Sequence, residues 1–105
     1  MLMNVLKENN SQALVKPEGR IDVVTSQELK DKLLELYNEG YNFIVIDFSN
    51  VTSIDSSGLG KLLLFQKKLK ERGGALSVTN VTSDYIKNMF QMIHLDKVIE
   101  IEYAD

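Results

Sequence analysis

The chain has 105 residues, carries 12 Lys plus Arg against 15 Asp plus Glu for a net charge of −3, and contains no cysteine. A chain of that length builds one domain, 1–105, around one core. The missing cysteines and the solitary His94 argue against disulfides, structural zinc and other metal clusters, and the dispersed positive charge argues against direct nucleic-acid binding. The longest apolar runs, FIVI and LLLF, fall far short of the roughly 20 residues needed to cross a bilayer, so a cytoplasmic protein without membrane insertion is expected.

In chain order, MLMNVLKE and QALVKPEGRID are two extended segments separated by the turn-prone NNS, and they are suited to a hairpin. Pro17 lacks an N–H and marks either the end of the second segment or an uncovered side. Thr25 and Glu28 stand three apart as a capping box, with Val24 and Leu29 as a hydrophobic staple, which predicts a helix whose face is Leu29, Leu33, Leu36 and Tyr37. Gly40 supplies its left-handed stop.

YNFIVIDF is almost continuously apolar from Phe43 to Phe48, the pattern of a strand buried on both faces, which predicts helices on both sides of the sheet. After SNVTSI comes IDSSGLGKLLL, which opens a helix with Leu59, Leu62, Leu63, Phe65 and Leu69 on a broad apolar face and an end at Gly73 or Gly74. ALSVTNV is a further strand. Thr82, Ser83 and Asp84 start a third helix with Ile86, Met89, Phe90 and Ile93 in one stripe, and KVIEIE closes as a strand. The order ββαβαβαβ predicts an α/β fold: a mixed, mainly parallel sheet with helices packed on it through right-handed crossovers.

The segment IDSSGLG invites three chemical readings. A serine nucleophile needs a base, and only His94 exists, in a different helix; DSSGLG also lacks the G-x-S-x-G elbow. A phosphate loop needs an earlier glycine and a Ser or Thr after the lysine, and both are missing. The local reading is a cap by Ser56 or Ser57, with Gly58 allowing a tight strand-to-helix turn. Yet one serine suffices for a cap, whereas Asp55 and a second Ser crowd the same point. Gly58 and Gly60 each cost helix stability by about 1 kcal/mol against Ala. Small residues there admit the backbone of another protein.

The run VIDFSNVTSIDSSGLGKLLLFQKKLKERGGALSVTNV resembles the central segment of the anti-sigma factor antagonists, the bacterial STAS-domain family, in which an apolar strand leads into D-S-[ST]-G-[LI]-G and a helix. EGRID with TSQELKDKL, and MFQMIHLDKVIEI, extend the resemblance over almost the whole chain. It implies a switch and not an enzyme: the unphosphorylated protein binds an anti-sigma factor with serine kinase activity and releases the sigma factor. Phosphorylation on Ser56, the hydroxyl directly after the Asp, turns binding off, and a PP2C-type phosphatase resets it. The implied partner-binding residues are Asp22, Asp55, Ser56, Ser57, Gly58, Leu59, Gly60 and Lys61, with no cofactor.

Two positions keep a second reading. Asp22 is either part of that partner face or a solvated turn aspartate. Lys61 departs from the apolar or small residue frequent there, and is either merely exposed or offsets the phosphate's repulsion and alters partner choice. Many family members add a fourth helix where EYAD stands, so contacts from such a helix are not expected. Two other functions share the fold: a non-phosphorylated STAS accessory subunit of a transporter or signalling complex, and a nucleotide-binding module at the loop end of the sheet.

Overall fold

Pro17 and Gly19 decide how the first half of the chain divides. In the computed structural model, which describes residues 1–104, β1 (Met3–Lys7) and β2 (Gln12–Pro17) form the expected antiparallel hairpin. The strand stops at Pro17, which has no N–H to extend the ladder. Gly19, at φ +88°, then turns the chain into a separate short strand, β3 (Gly19–Ile21). Downstream, β4 (Phe43–Asp47) is followed by β5 (Val51–Ile54), which pairs in parallel with β3.

The main sheet has the order β1-β2-β4-β6-β7, with β6 (Ala75–Val81) and β7 (Glu100–Tyr103), and is parallel apart from the β1–β2 edge. Its strands, taken with α1 (Val23–Asn38), α2 (Ser56–Glu71) and α3 (Asp84–Met92), follow the expected ββαβαβαβ order. The two-stranded β3–β5 sheet is the addition. Its strands are three and four residues long, too short to stand out from the turns that flank them in the sequence. The last strand also begins later than KVIEIE suggests, because Leu95–Lys97 closes a 3-10 turn.

All three helices lie on one side of the main sheet. Ile44, Ile46, Leu76 and Val78 are essentially inaccessible and share one cluster with Leu33, Leu62 and Phe65 from the helices. The alternate strand residues face outward: Phe43 is 44% exposed and Leu6 58%. The expectation of helices on both faces is therefore corrected. The unbroken apolar run of β4 reflects neighbouring strands that half-cover Val45 laterally, not a second helical layer. Within the core, Phe48 and Phe90 pack with ring centroids 5.9 Å apart, tying the end of β4 to α3.

The helix ends are set by local chemistry. At α1, the N–H of Gly40 donates to Tyr37 O and that of Tyr41 to Leu36 O, a Schellman closure with Gly40 at φ +97°. The end of α2 repeats it, with Gly73 bonded to Lys70 O and Gly74 to Leu69 O. A Cβ on Gly74 would stand 1.8 Å from Asn42 O, so the glycine pair also lets the helix exit pass against the β4 entrance. Ile93, expected in the α3 stripe, is instead the residue that ends the helix and is 48% exposed; the stripe is buried Ile86 and Phe90 with half-buried Met89 packed against the core beside them.

Among the described residues Asp47, at the end of β4, is the one buried carboxylate. Burial opposes its charge, but the N–H of Ser49 at 2.8 Å and the amide of Asn80 at 3.1 Å outweigh it and hold its carboxyl below the usual 3.8. A carboxyl depressed in the folded state contributes stability above its unfolded value, and that contribution is lost as pH falls through the folded value. Asp47→Asn is expected to be less stable than wild type at pH 7, with the gap closing below pH 3.8. Urea unfolding from pH 7 to pH 2.5 checks this, and a gap constant across that range refutes it.

Candidate functional site

The site grows from the β3–β5 pairing. Ile21 lies opposite Ile54, and the N–H of Asp55 donates to Ile21 O at 3.1 Å, so both strands deliver an aspartate to the same edge at the next residue. Asp22 and Asp55 share an extended backbone, with φ −115° and −107°, and each is the N-cap of the helix that follows. The N-termini of α1 and α2 thus open side by side.

At α1, Asp22 Oδ1 accepts from the N–H groups of Val24 and Thr25, both at 3.0 Å, while Thr25 Oγ1 accepts from the N–H of Asp22 at 2.8 Å. The cap is therefore Asp22 and not Thr25, which stands three residues inside as the second half of the capping box. The Thr25 hydroxyl reaches Arg20 O at 2.6 Å, fixing the box to β3. Hydrogen bonds from Thr25 hold the Asp22 carboxyl below its usual value. Asp22 is a structural cap at the rim of the site, not a free turn residue.

At α2, Asp55 Oδ1 accepts from Ser57 N at 2.9 Å and Gly58 N at 3.2 Å. The cap is again the aspartate, and the expectation that Ser56 or Ser57 performs it is corrected. Asp55 is the last extended residue, and the serines already have helical backbone, so only its side chain is placed to reach the free N–H groups. Neither serine hydroxyl has a side-chain hydrogen bond among the described residues. Ser56 is exposed beside the exposed Asp55, while Ser57 is half-buried.

The two glycines of GLG play different parts. Gly58 is buried, and a Cβ there would meet Ile54 Cγ1 at 2.6 Å and Ile21 Cγ2 at 2.7 Å, so it seats α2 on the β3–β5 pair. A Cβ on Gly60 would meet nothing within 4 Å. Gly60 lies on the exposed ridge of α2 with Ser56, Leu63 and Leu64, while Leu59 and Lys61 are half-buried to its sides. Leu63, expected in the apolar core face, is 41% exposed, and Leu64 is 39% exposed. The structure thus groups Asp22, Asp55, Ser56, Ser57 and Gly60 at one tip, and places Gly58 beneath it.

Sequence reasoning missed Val23, and its staple of Val24 on Leu29 is corrected: with the cap at Asp22, Val24 lies inside the helix and does not precede it. Val23 and Val24 are 70% and 71% exposed in the first turn of α1, next to Asp22. The signal was the valine pair between Asp22 and Thr25, which reads as first-turn surface once the cap is moved to Asp22. No group of three or more metal-ligating side chains, and no helix long and apolar enough to cross a membrane, occurs among the described residues. A polar cleft of about 520 Å³ lies between Glu18, Ser49, Asn50, Thr52, Thr82 and Ser83. Its lining has no Lys or Arg to pair with nucleotide phosphates.

The STAS domain family matches residues 4–104. The chain is 32% identical to the anti-sigma-B factor antagonist of Bacillus subtilis, over 96% of this chain and 92% of that one. Its fold is similar to an anti-sigma factor antagonist from Mycobacterium paratuberculosis, with a TM-score of 0.81 and 22% identity over 96% of this chain and 86% of that one. It is also similar to the Bacillus cell-fate determinant SpoIIAA in its phosphorylated form, with a TM-score of 0.76 and 18% identity over 99% of this chain and 92% of that one.

Substituting the two glycines separates packing from surface. Gly58→Ala is expected to destabilise the fold by about 1–3 kcal/mol through overpacking against Ile21 and Ile54. Gly60→Ala is expected to stabilise it by up to about 1 kcal/mol through helix propensity. Equilibrium denaturation of both variants checks the pair, and equal effects would contradict the assigned roles.

Proposed function

The chain belongs to the STAS domain family, and on that premise we propose that it is an anti-sigma factor antagonist, regulatory and not enzymatic, working in the cytoplasm. Its unphosphorylated form binds an anti-sigma factor that is also a serine kinase and frees the sigma factor. Phosphorylation of Ser56 ends that binding, and a PP2C-type phosphatase restores it. The observation that carries this reading is the exposed, unbonded Ser56 hydroxyl immediately after a capping aspartate, at a tip where two helix N-termini meet. The partner face comprises Asp22, Asp55, Ser56, Ser57, Leu59, Gly60 and Lys61, with Gly58 holding the helix beneath it and Val23 and Val24 adding apolar surface.

The local electrostatics give this switch its sign. Asp55 already occupies the N–H groups of Ser57 and Gly58, so a phosphate on Ser56 finds those donors taken. It gains the favourable field of the helix end without its best hydrogen bonds, and it stays exposed next to a carboxylate. The core is untouched, so the fold persists. A docked partner, however, must desolvate a near-divalent anion beside Asp55, a large cost when no cation pairs with it. Half-buried Lys61 is one turn beyond Ser57 and stands in no ion pair among the described residues, so it is the nearby positive charge on α2 that tempers this repulsion.

Incubation with a cognate kinase and ATP is expected to add the mass of one phosphate to wild type and none to Ser56→Ala. The Ser56→Ala protein keeps binding the kinase. The phosphorylated protein binds about 10⁴-fold more weakly if the switch reverses occupancy from 99:1 to 1:99. An undiminished mass gain in Ser56→Ala, or unchanged kinase affinity after phosphorylation, overturns the proposal.

A further inference from the structure

Away from the Ser56 tip, α2 carries a second surface. Leu63, Gln66, Lys67 and Lys70 from α2, with Lys97 from the 3-10 turn and Val98 directly after it, line a groove of about 310 Å³. Leu63 is 41% and Val98 54% exposed, and the three lysines are exposed around them. No carboxylate lines the groove, and none of the three lysines is in an ion pair among the described residues. A quarter of the 12 basic residues therefore surround one apolar patch on a chain of net charge −3.

The groove has a fixed floor. Gln66 is buried, its Nε2 donates to Val98 O at 2.9 Å, and its Oε1 accepts from Leu76 N at 2.8 Å. One side chain thus clamps α2 to both β6 and the 3-10 turn, so Leu63 and Val98 are held apart by packing on buried elements and not by a loose chain end. Lys67 and Lys70 stand one helical turn apart on one wall, with Lys97 on the other.

We infer that the α2–Leu95–Lys97 groove docks an acidic segment of a partner protein, one apolar side chain seated between Leu63 and Val98 and flanking carboxylates paired with Lys67, Lys70 and Lys97. Charge complementarity selects this occupant. A basic or neutral segment leaves three lysines unpaired at the rim, while a small anion leaves the two exposed apolar side chains uncovered. A second copy of this chain is disfavoured by the repulsion of two net-negative molecules. The inference stands whether or not Ser56 is modified.

The test is an amide chemical-shift titration of the intact protein with an eight-residue Glu/Leu peptide, its Gln/Leu counterpart and inorganic phosphate. The Glu/Leu peptide is expected to give saturable shifts at Leu63, Lys67, Lys70, Lys97 and Val98, weakened about tenfold or more in Lys67→Glu/Lys97→Glu. The Gln/Leu peptide and phosphate are expected to give no saturation there. Equal binding of phosphate makes this a small-anion site and overturns the inference. So do equal binding of the Gln/Leu peptide, shifts mapping elsewhere, or concentration-dependent self-association at these residues without peptide. Thermal unfolding of the charge-reversed variant, expected to match wild type, separates loss of binding from loss of fold.

Discussion

The hydrogen bond from Asp55 N to Ile21 O is the constraint on which the rest of the molecule turns. It closes the short parallel pairing of β3 and β5, sets Ile21 level with Ile54, and so brings two strand-to-helix junctions to the same edge. Gly58 is the condition for that closure, because any side chain there would strike both isoleucines. The main sheet and the three helices together supply most of the buried core, but it is this small second sheet that aims α1 and α2 with their N-termini adjacent.

The polar design of the tip follows from the same arrangement. Two helix ends side by side present several unpaired N–H groups, and at each end an aspartate of the chain accepts from two of them. Using Asp in place of Ser for both caps leaves the Ser56 hydroxyl with no structural task. The tip is thereby capped and already negative without a phosphate, so a phosphate added at Ser56 would change how it meets a partner far more than how it folds. A hydroxyl that capped its own helix would couple modification to unfolding instead.

Along α2 the two faces divide their labour. Leu62, Phe65 and Leu69 are inaccessible and hold the helix on the sheet, while Gln66 fixes it laterally to β6 and the 3-10 turn. The opposite ridge carries Ser56, Gly60, Leu63, Leu64 and Lys67, changing from small residues beside the acidic cap Asp55 to apolar ones two turns on and a lysine three turns on. One rigid helix thus carries surfaces of opposite charge, which is how a small domain presents distinct faces without moving parts.

Much of this was legible in the sequence. The alternation of apolar strands and periodic helices determined the α/β order, the glycines at 40, 73 and 74 marked the helix ends, and the motif from Asp55 to Gly60 pointed to the tip, because these are local patterns whose physics operates within a few residues. Which aspartate caps which helix, the existence of β3 and β5, the open second face of the main sheet, and the exposure of Val23, Val24 and Leu63 were decided only by the tertiary structure. Each depends on what lies across from a residue and not beside it: a three-residue strand is stabilised by its partner, and a leucine at helical spacing is buried only if another element reaches it. The sequence therefore determined the elements and the candidate residue, and the pairing of Ile21 with Ile54 decided that Asp22 and Asp55 would share one surface.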